Sequence, residues 1–223
     1  MCGFPPVHQV LGVAGRTTIA GGFLFSDSTK SDLRKKMRQQ RRSLSPQALQ
    51  QASLGLCQQI LQLRHYQKAR HIALYWPMQG EINPLPLLYH LRSFRKHFYL
   101  PVLSGSFAQK LRFAPFHANS RMRPNAFRIP EPLVAVASLL GPQDLDLLIL
   151  PLVAFDAEGY RLGMGGGFYD RSLASLSHRQ HWQHPHLLGV GHAFQQVAHI
   201  PREPWDVPLG MVCTDQACYR IPL

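Results

Sequence analysis

Short apolar runs recur along most of this chain, separated by polar stretches marked by proline or glycine, and their lengths predict strands alternating with helices. His71 to Tyr75, Phe98 to Val102, Leu111 to Phe116, Leu145 to Leu150, Leu187 to Val190 and Pro208 to Val212 each read as a strand. Leu49, Leu54, Leu56, Cys57, Ile60, Leu61 and Leu63 supply the apolar face of a helix, and Ser45-Pro46 ahead of them provides a cap and a first-turn proline. Upstream, Ser31 as a cap predicts a basic helix from Asp32 to Arg42, and Asn83-Pro84 predicts a helix running towards Ser93. Strands alternating with helices imply an α/β protein with a mainly parallel sheet. In such sheets ligands gather outside the carboxyl ends of the strands. The loops beginning at Trp76, Pro151 and Gly191 are therefore expected at one edge, with Glu81 brought near residues 161–170.

The chemistry of that last segment, Arg161-Leu162-Gly163-Met164-Gly165-Gly166-Gly167-Phe168-Tyr169-Asp170, is distinctive. Glycine tolerates positive φ and lets backbone amides approach an anion closely, and a helix starting near Phe168 would add its exposed amide end. The glycines lack the Lys-Ser/Thr step of a Walker loop and the three-glycine spacing of a dinucleotide turn, so a phosphate bound there is held differently. Lys30 and Arg34 stand four apart and share a helix face suited to a triphosphate. Asp170 and Asp206 are candidate oxygen ligands for Mg²⁺, which takes one or two carboxylates along with phosphate oxygens and water.

Composition narrows the partners. The 223 residues carry 24 Lys and Arg against 12 Asp and Glu, a formal charge of +12 that attracts nucleic acids, nucleotides and polyglutamylated ligands. Lys30, Arg34, Lys35, Lys36, Arg38, Arg41 and Arg42 crowd one short segment. Residues 1–29 read as an N-terminal extension, either disordered or the product of a start assigned too far upstream, and residues 30–223 as a single domain. Arg16 interrupts the early apolar stretch, which fits a secretory signal poorly, and no apolar run reaches membrane-spanning length, so a cytoplasmic protein is expected. Cys2, Cys57, Cys213 and Cys218 lack Cys-x-x-Cys spacing and are expected as free thiols. His178, His181, His184 and His186 read as a polar loop, since no cysteine or acid nearby completes a zinc set.

Five dispersed motifs act together: Lys30-Ser31-Asp32-Leu33-Arg34, Met78-Gln79-Gly80-Glu81-Ile82, Phe127-Arg128-Ile129-Pro130-Glu131-Pro132, the 161–170 segment and Trp205-Asp206-Val207-Pro208. In that order they resemble the 5-formyltetrahydrofolate cyclo-ligase family over about residues 30–220. The resemblance implies a three-layer α/β fold similar to the NagB/RpiA/CoA-transferase group. It also implies ATP- and Mg²⁺-dependent conversion of 5-formyltetrahydrofolate to 5,10-methenyltetrahydrofolate with release of ADP and phosphate. By motif it assigns Lys30, Ser31, Asp32, Leu33 and Arg34, with Arg161, Leu162, Gly163, Met164, Gly165, Gly166, Gly167, Phe168 and Tyr169, to ATP. Trp76, Glu81, Phe127 and the Met164 to Phe168 stretch fall to the folate, Asp170 and Asp206 to the metal, and Arg161, Lys30 and Arg34 to charge stabilisation. The chain departs from the pattern at Phe168, where tyrosine is common, at Phe127, where some members have tryptophan, and at Met164 and Gly166, where some have basic residues. Arg161 then bears more of the phosphate's charge. A monomer is expected. Two other readings of the residues stand beside this one: a basic nucleic-acid-binding module, and another nucleotide- or phosphosugar-using α/β enzyme.

Overall fold

The structure, a computed structural model, describes residues 29–103, 110–177, 185–203 and 209–221. Three helices come first: α1 (Lys30–Arg42), α2 (Pro46–Gln62) and the short α3 (Arg64–Lys68). The central sheet is built from β1 (His71–Ala73), β2 (His97–Leu103), β3 (Leu111–Phe116), β6 (Leu147–Pro151), β9 (His186–Val190), β10 (Met211–Cys213) and β11 (Cys218–Arg220). Two small hairpins, β4 (Met122–Pro124) with β5 (Pro130–Pro132) and β7 (Ala154–Phe155) with β8 (Arg161–Leu162), lie outside it, and α4 spans Phe168–Ser177.

The strand order is β11-β10-β9-β6-β1-β2-β3. The inner strands β10, β9, β6, β1 and β2 pair in parallel, while β3 and β11 close the edges antiparallel. Burial on both faces explains the unbroken apolar run of β6. Leu147 and Ile149 join the cluster formed with Leu56 and Ile60 of α2, whereas Leu148 and Leu150 face the opposite cluster, which includes Leu173 of α4. The result is the expected three-layer α/β arrangement. A third apolar cluster docks Met37 of α1 against Val153, Ala154 and Leu162 of the β7–β8 hairpin.

The topology also selects the location of a site. From β1 the chain passes to β2 on one side, and from β6 it passes to β9 on the other, so the carboxyl ends of β1 and β6 flank a switch point. The Trp76–Glu81 loop leaves from one and the hairpin with its glycine segment from the other.

Several expectations need correction. The cap of α1 is Thr29, not Ser31: Asp32 N donates to Thr29 Oγ1 at 3.2 Å, and the Asp32 carboxylate returns the contact in a capping box. The helix expected after Asn83-Pro84 is instead two 3₁₀ turns, Leu85–Tyr89 and Leu91–Ser93. His90 breaks the run in extended backbone because its ring accepts from Arg92 N at 3.1 Å, and Ser93 Oγ caps Leu87 O at 2.6 Å. The thiols of Cys213 and Cys218 are joined in a disulfide, because the β10–β11 register sets them opposite each other with Cα atoms 4.1 Å apart. Cys57 is free and buried, and burial pushes its pKa up to about 12, which leaves it a packing residue. Cys2, the extension and the 178–184 histidines lie outside the described residues. No described helix is long and apolar enough to cross a membrane.

Candidate active site

Arg161 opens the site from β8, where the hairpin turn fixes it. Buried Asp156 ties that turn, its Oδ1 accepting from Glu158 N and Tyr160 N at 3.0 Å each. The Arg161 side chain is only 8% exposed and pairs with Asp170, which is 32% exposed and sits in the first turn of α4. Between them runs the glycine turn. Gly165 and Gly167 adopt φ of 99° and 60°, the left-handed region that side chains avoid, so the sequence pattern has a direct backbone cause.

Arginines hold the carbonyl side of this turn. Arg34 Nε donates to Gly163 O at 2.9 Å, and Arg171 Nη2 donates to Gly166 O at 2.7 Å while its guanidinium covers the Phe168 ring at 5.1 Å. The amides of Gly165, Gly166 and Gly167 donate to no group among the described residues. A turn with its carbonyls engaged by cations and its N–H groups unspent is able to receive an anion. Lys30, one turn before Arg34 on α1, pairs with Glu203 at 3.4 Å. Ser31 and Asp32 are exposed on the same first turn, and Leu33 packs towards the hairpin cluster.

A second, more enclosed polar group lies beside the turn. Arg41 of α1 is 1% exposed; its Nη1 reaches Glu81 Oε1 at 3.4 Å and its Nη2 reaches Met164 Sδ at 4.0 Å. Glu81 Oε2 accepts from Met78 N at 3.0 Å. Burial raises the Glu81 pKa, opposed by the Met78 amide and by Arg41. His192 Nε2 meets Gly80 O at 3.0 Å, and burial lowers its pKa, so the ring is held towards its neutral form. Gly80, at φ 76°, passes so close to α1 that a Cβ there would stand 2.6 Å from Arg41 O. The loops following β1 and β9 and the glycine segment therefore meet at one edge, as the sequence predicts. Burial and the nearby Glu81 carboxylate also push up the pKa of the Tyr169 hydroxyl.

Aromatic surface completes the rim. Phe127, 59% exposed at the β4–β5 turn, meets Phe168 edge-on with centroids 5.9 Å apart. Trp76 packs edge-on against Phe116 at 6.2 Å, at the start of the Glu81 loop. Thus Arg34 and Arg41 of α1 join the glycine turn to Glu81, Arg161 pairs with Asp170 beside that turn, and Lys30 pairs with Glu203, while Asp206 lies outside the described residues. Arg41, Arg171 and His192 were not singled out for the site by the motifs. Arg41 was signalled by helical spacing, since it stands seven residues beyond Arg34 on the same face. Among the described residues no group of three or more His, Cys, Asp and Glu is arranged to hold a metal.

Comparison with known proteins gives a consistent result. Residues 26–215 match the model of the 5-formyltetrahydrofolate cyclo-ligase family. The 5-formyltetrahydrofolate cyclo-ligase of Haemophilus influenzae is 40% identical over 182 residues, covering 81% of this chain and 94% of that protein. The enzyme of the same name from Escherichia coli is 39% identical over 180 residues, covering 80% and 96%. Among solved structures, Aquifex aeolicus 5,10-methenyltetrahydrofolate synthetase superposes with a TM-score of 0.73 at 31% identity, covering 87% of this chain and 93% of that one.

Proposed function

The chain belongs to the 5-formyltetrahydrofolate cyclo-ligase family, and from that membership we propose that it closes the ring of 5-formyltetrahydrofolate to give 5,10-methenyltetrahydrofolate at the expense of ATP. The observation that carries the ATP half of this reading is the glycine turn, whose carbonyls are held by Arg34 and Arg171 and whose amides remain for an anion.

A formamide oxygen is a poor leaving group until it is phosphorylated. In the proposed sequence it attacks the γ-phosphorus and ADP departs. The second folate nitrogen then adds to the formyl carbon and loses its proton. Phosphate leaves carrying the former formyl oxygen. Transfer of this kind asks the protein chiefly for alignment and for charge stabilisation. Lys30, Arg34 and Arg161 supply the cations, and none of them need act as a nucleophile. Glu81 accepts N–H groups of the pterin, while Trp76, Phe127 and Phe168 wall the folate and Met164 borders it.

Mg²⁺ fits this site as an ion held mainly by phosphate oxygens, since Asp170 offers a partly exposed carboxylate beside the glycine turn and such ions need only one or two. Asp206 would be the second. When bound, the ion would neutralise phosphate charge. Substrate labelled with heavy oxygen in the formyl group tests the sequence: the label is expected in released phosphate, and its retention in folate or loss to water would overturn the phosphorylated intermediate.

A further inference from the structure

Arg41 is one of the most enclosed side chains in the molecule, yet it is poorly matched to its surroundings. A buried guanidinium ordinarily has its five donors engaged, because an unpaired buried charge is costly. Here one nitrogen meets Glu81 at the long distance of 3.4 Å, a second meets only the weak sulfur acceptor of Met164 at 4.0 Å, and Nε is buried without any partner. Glu81 is similarly unfilled, with Met78 N and Arg41 as the donors to its two oxygens among the described residues. A pair serving only to bind α1 to the sheet would be sealed and saturated. This one is neither: Glu81 keeps 11% of its side chain exposed and Met164 is 47% exposed.

The register of α1 gives the arrangement a purpose. Arg34 and Arg41 are seven residues apart, two turns along one face. The first holds Gly163 and the second reaches Met164, so consecutive residues of the glycine turn are anchored to the same helix, and the second anchor continues to Glu81. We propose that Arg41 is a positioning residue for the folate, holding the Glu81 carboxylate and the Met164 side chain in the arrangement that receives the pterin and tying that arrangement to the phosphate turn. The inference rests on the cyclo-ligase reading. The other groups facing Glu81 are the Tyr75 hydroxyl from the segment just after β1 and the Tyr169 hydroxyl from α4, with His192, in the loop after β9, acting on Arg41 and the Gly80 carbonyl. Arg41 is the cation that opposes protonation of Glu81 by burial.

A double-mutant cycle on the full chain tests this, with KM for 5-formyltetrahydrofolate and for ATP, kcat, and equilibrium binding of 5-formyltetrahydrofolate without ATP measured across pH. Arg41→Gln is expected to raise the folate KM about tenfold, the scale of a lost charge-assisted hydrogen bond, with the ATP KM and kcat changed little. Because Glu81 loses its opposing cation, the folate defect is expected to be worst at low pH and to shrink as pH rises. Arg41→Lys is expected to restore most of the affinity. In a Glu81→Gln background, either Arg41 substitution is expected to cost less than about twofold, because the residue through which Arg41 acts is already disabled. Additive losses, or an unchanged folate KM and pH profile in Arg41→Gln, would overturn the inference. If Arg41→Gln fails to fold, Arg41→Met, which keeps the apolar stem and removes the charge, takes its place in the cycle with the same expected coupling to Glu81→Gln. A parent protein that does not turn over 5-formyltetrahydrofolate would defeat the cyclo-ligase reading itself, which a working parent with additive losses would leave intact.

Discussion

Two arginine–carboxylate pairs flank the glycine turn, and they differ in how they meet solvent. Arg161–Asp170 is the more open one, with exposures of 8% and 32% beside the glycine turn; Arg41–Glu81 is the enclosed one, with exposures of 1% and 11%. The partly exposed Asp170 carboxylate is the side of that pair that water and ions can reach and screen. An enclosed pair keeps its partners, since separating them leaves a buried charge uncompensated. Under the proposed reaction the difference would suit two tasks, with Arg161 meeting a phosphoryl group and Arg41 and Glu81 forming the surface against which a ring system is oriented.

If that division is right, substitutions on the open side should slow the chemical step and those on the enclosed side should weaken folate. The largest effect is expected from Arg161→Ala: kcat should fall by about 10²–10³, as when a donor to developing charge is removed, with the folate KM much less affected. Steady-state kinetics with both substrates varied would check it, and unchanged turnover would remove Arg161 from the phosphate site. Next, Glu81→Gln should raise the folate KM by roughly ten- to a hundredfold while the ATP KM stays near its parent value. A rise in the ATP KM instead would reverse the roles of the two pairs. Phe127→Ala, on the open rim, loses its contact with Phe168, worth about 0.5–1.5 kcal/mol, and should weaken folate binding severalfold in a fluorescence titration.

The smallest effect concerns pH and stability. Burial lowers the His192 pKa from the ordinary 6.5, so the unfolded state takes up a proton that the folded state resists. The stabilisation is therefore present above pH 6.5 and lost as pH falls through the lower folded value. Denaturant unfolding of His192→Asn should show a flatter decline in that window than the parent. Equal slopes would mean that His192 does not stay neutral beside Gly80.

The elements carrying strong local patterns were legible from residue order. Leu111–Phe116 occurs as predicted, and α2 has its Ser45 cap, whose hydroxyl accepts from Ala48 N at 3.2 Å. The β7–β8 hairpin was not, because its two-residue strands are too short for any periodicity and its turn depends on Asp156, a lone buried acid. The 3₁₀ turns before β2 were missed for a related reason: the contacts of His90 and Ser93 that end them are side-chain bonds no apolar pattern records. In the site, the glycine positions announced their backbone conformation directly. Arg41 instead lay hidden in a run of basic residues, where composition suggests a solvated face and only helical phase separates the buried cation from its exposed neighbours. Cys213 and Cys218, five apart in sequence, lack Cys-x-x-Cys spacing, and the β10–β11 register brings them together.

The most direct measurement mixes the protein with 5-formyltetrahydrofolate, ATP and Mg²⁺ and follows methenyltetrahydrofolate absorbance and phosphate release together, with each component omitted in turn. The account predicts one phosphate per methenyltetrahydrofolate and no product when ATP or folate is absent. Product formed without phosphate, or silence from folded protein that binds ATP, would contradict it.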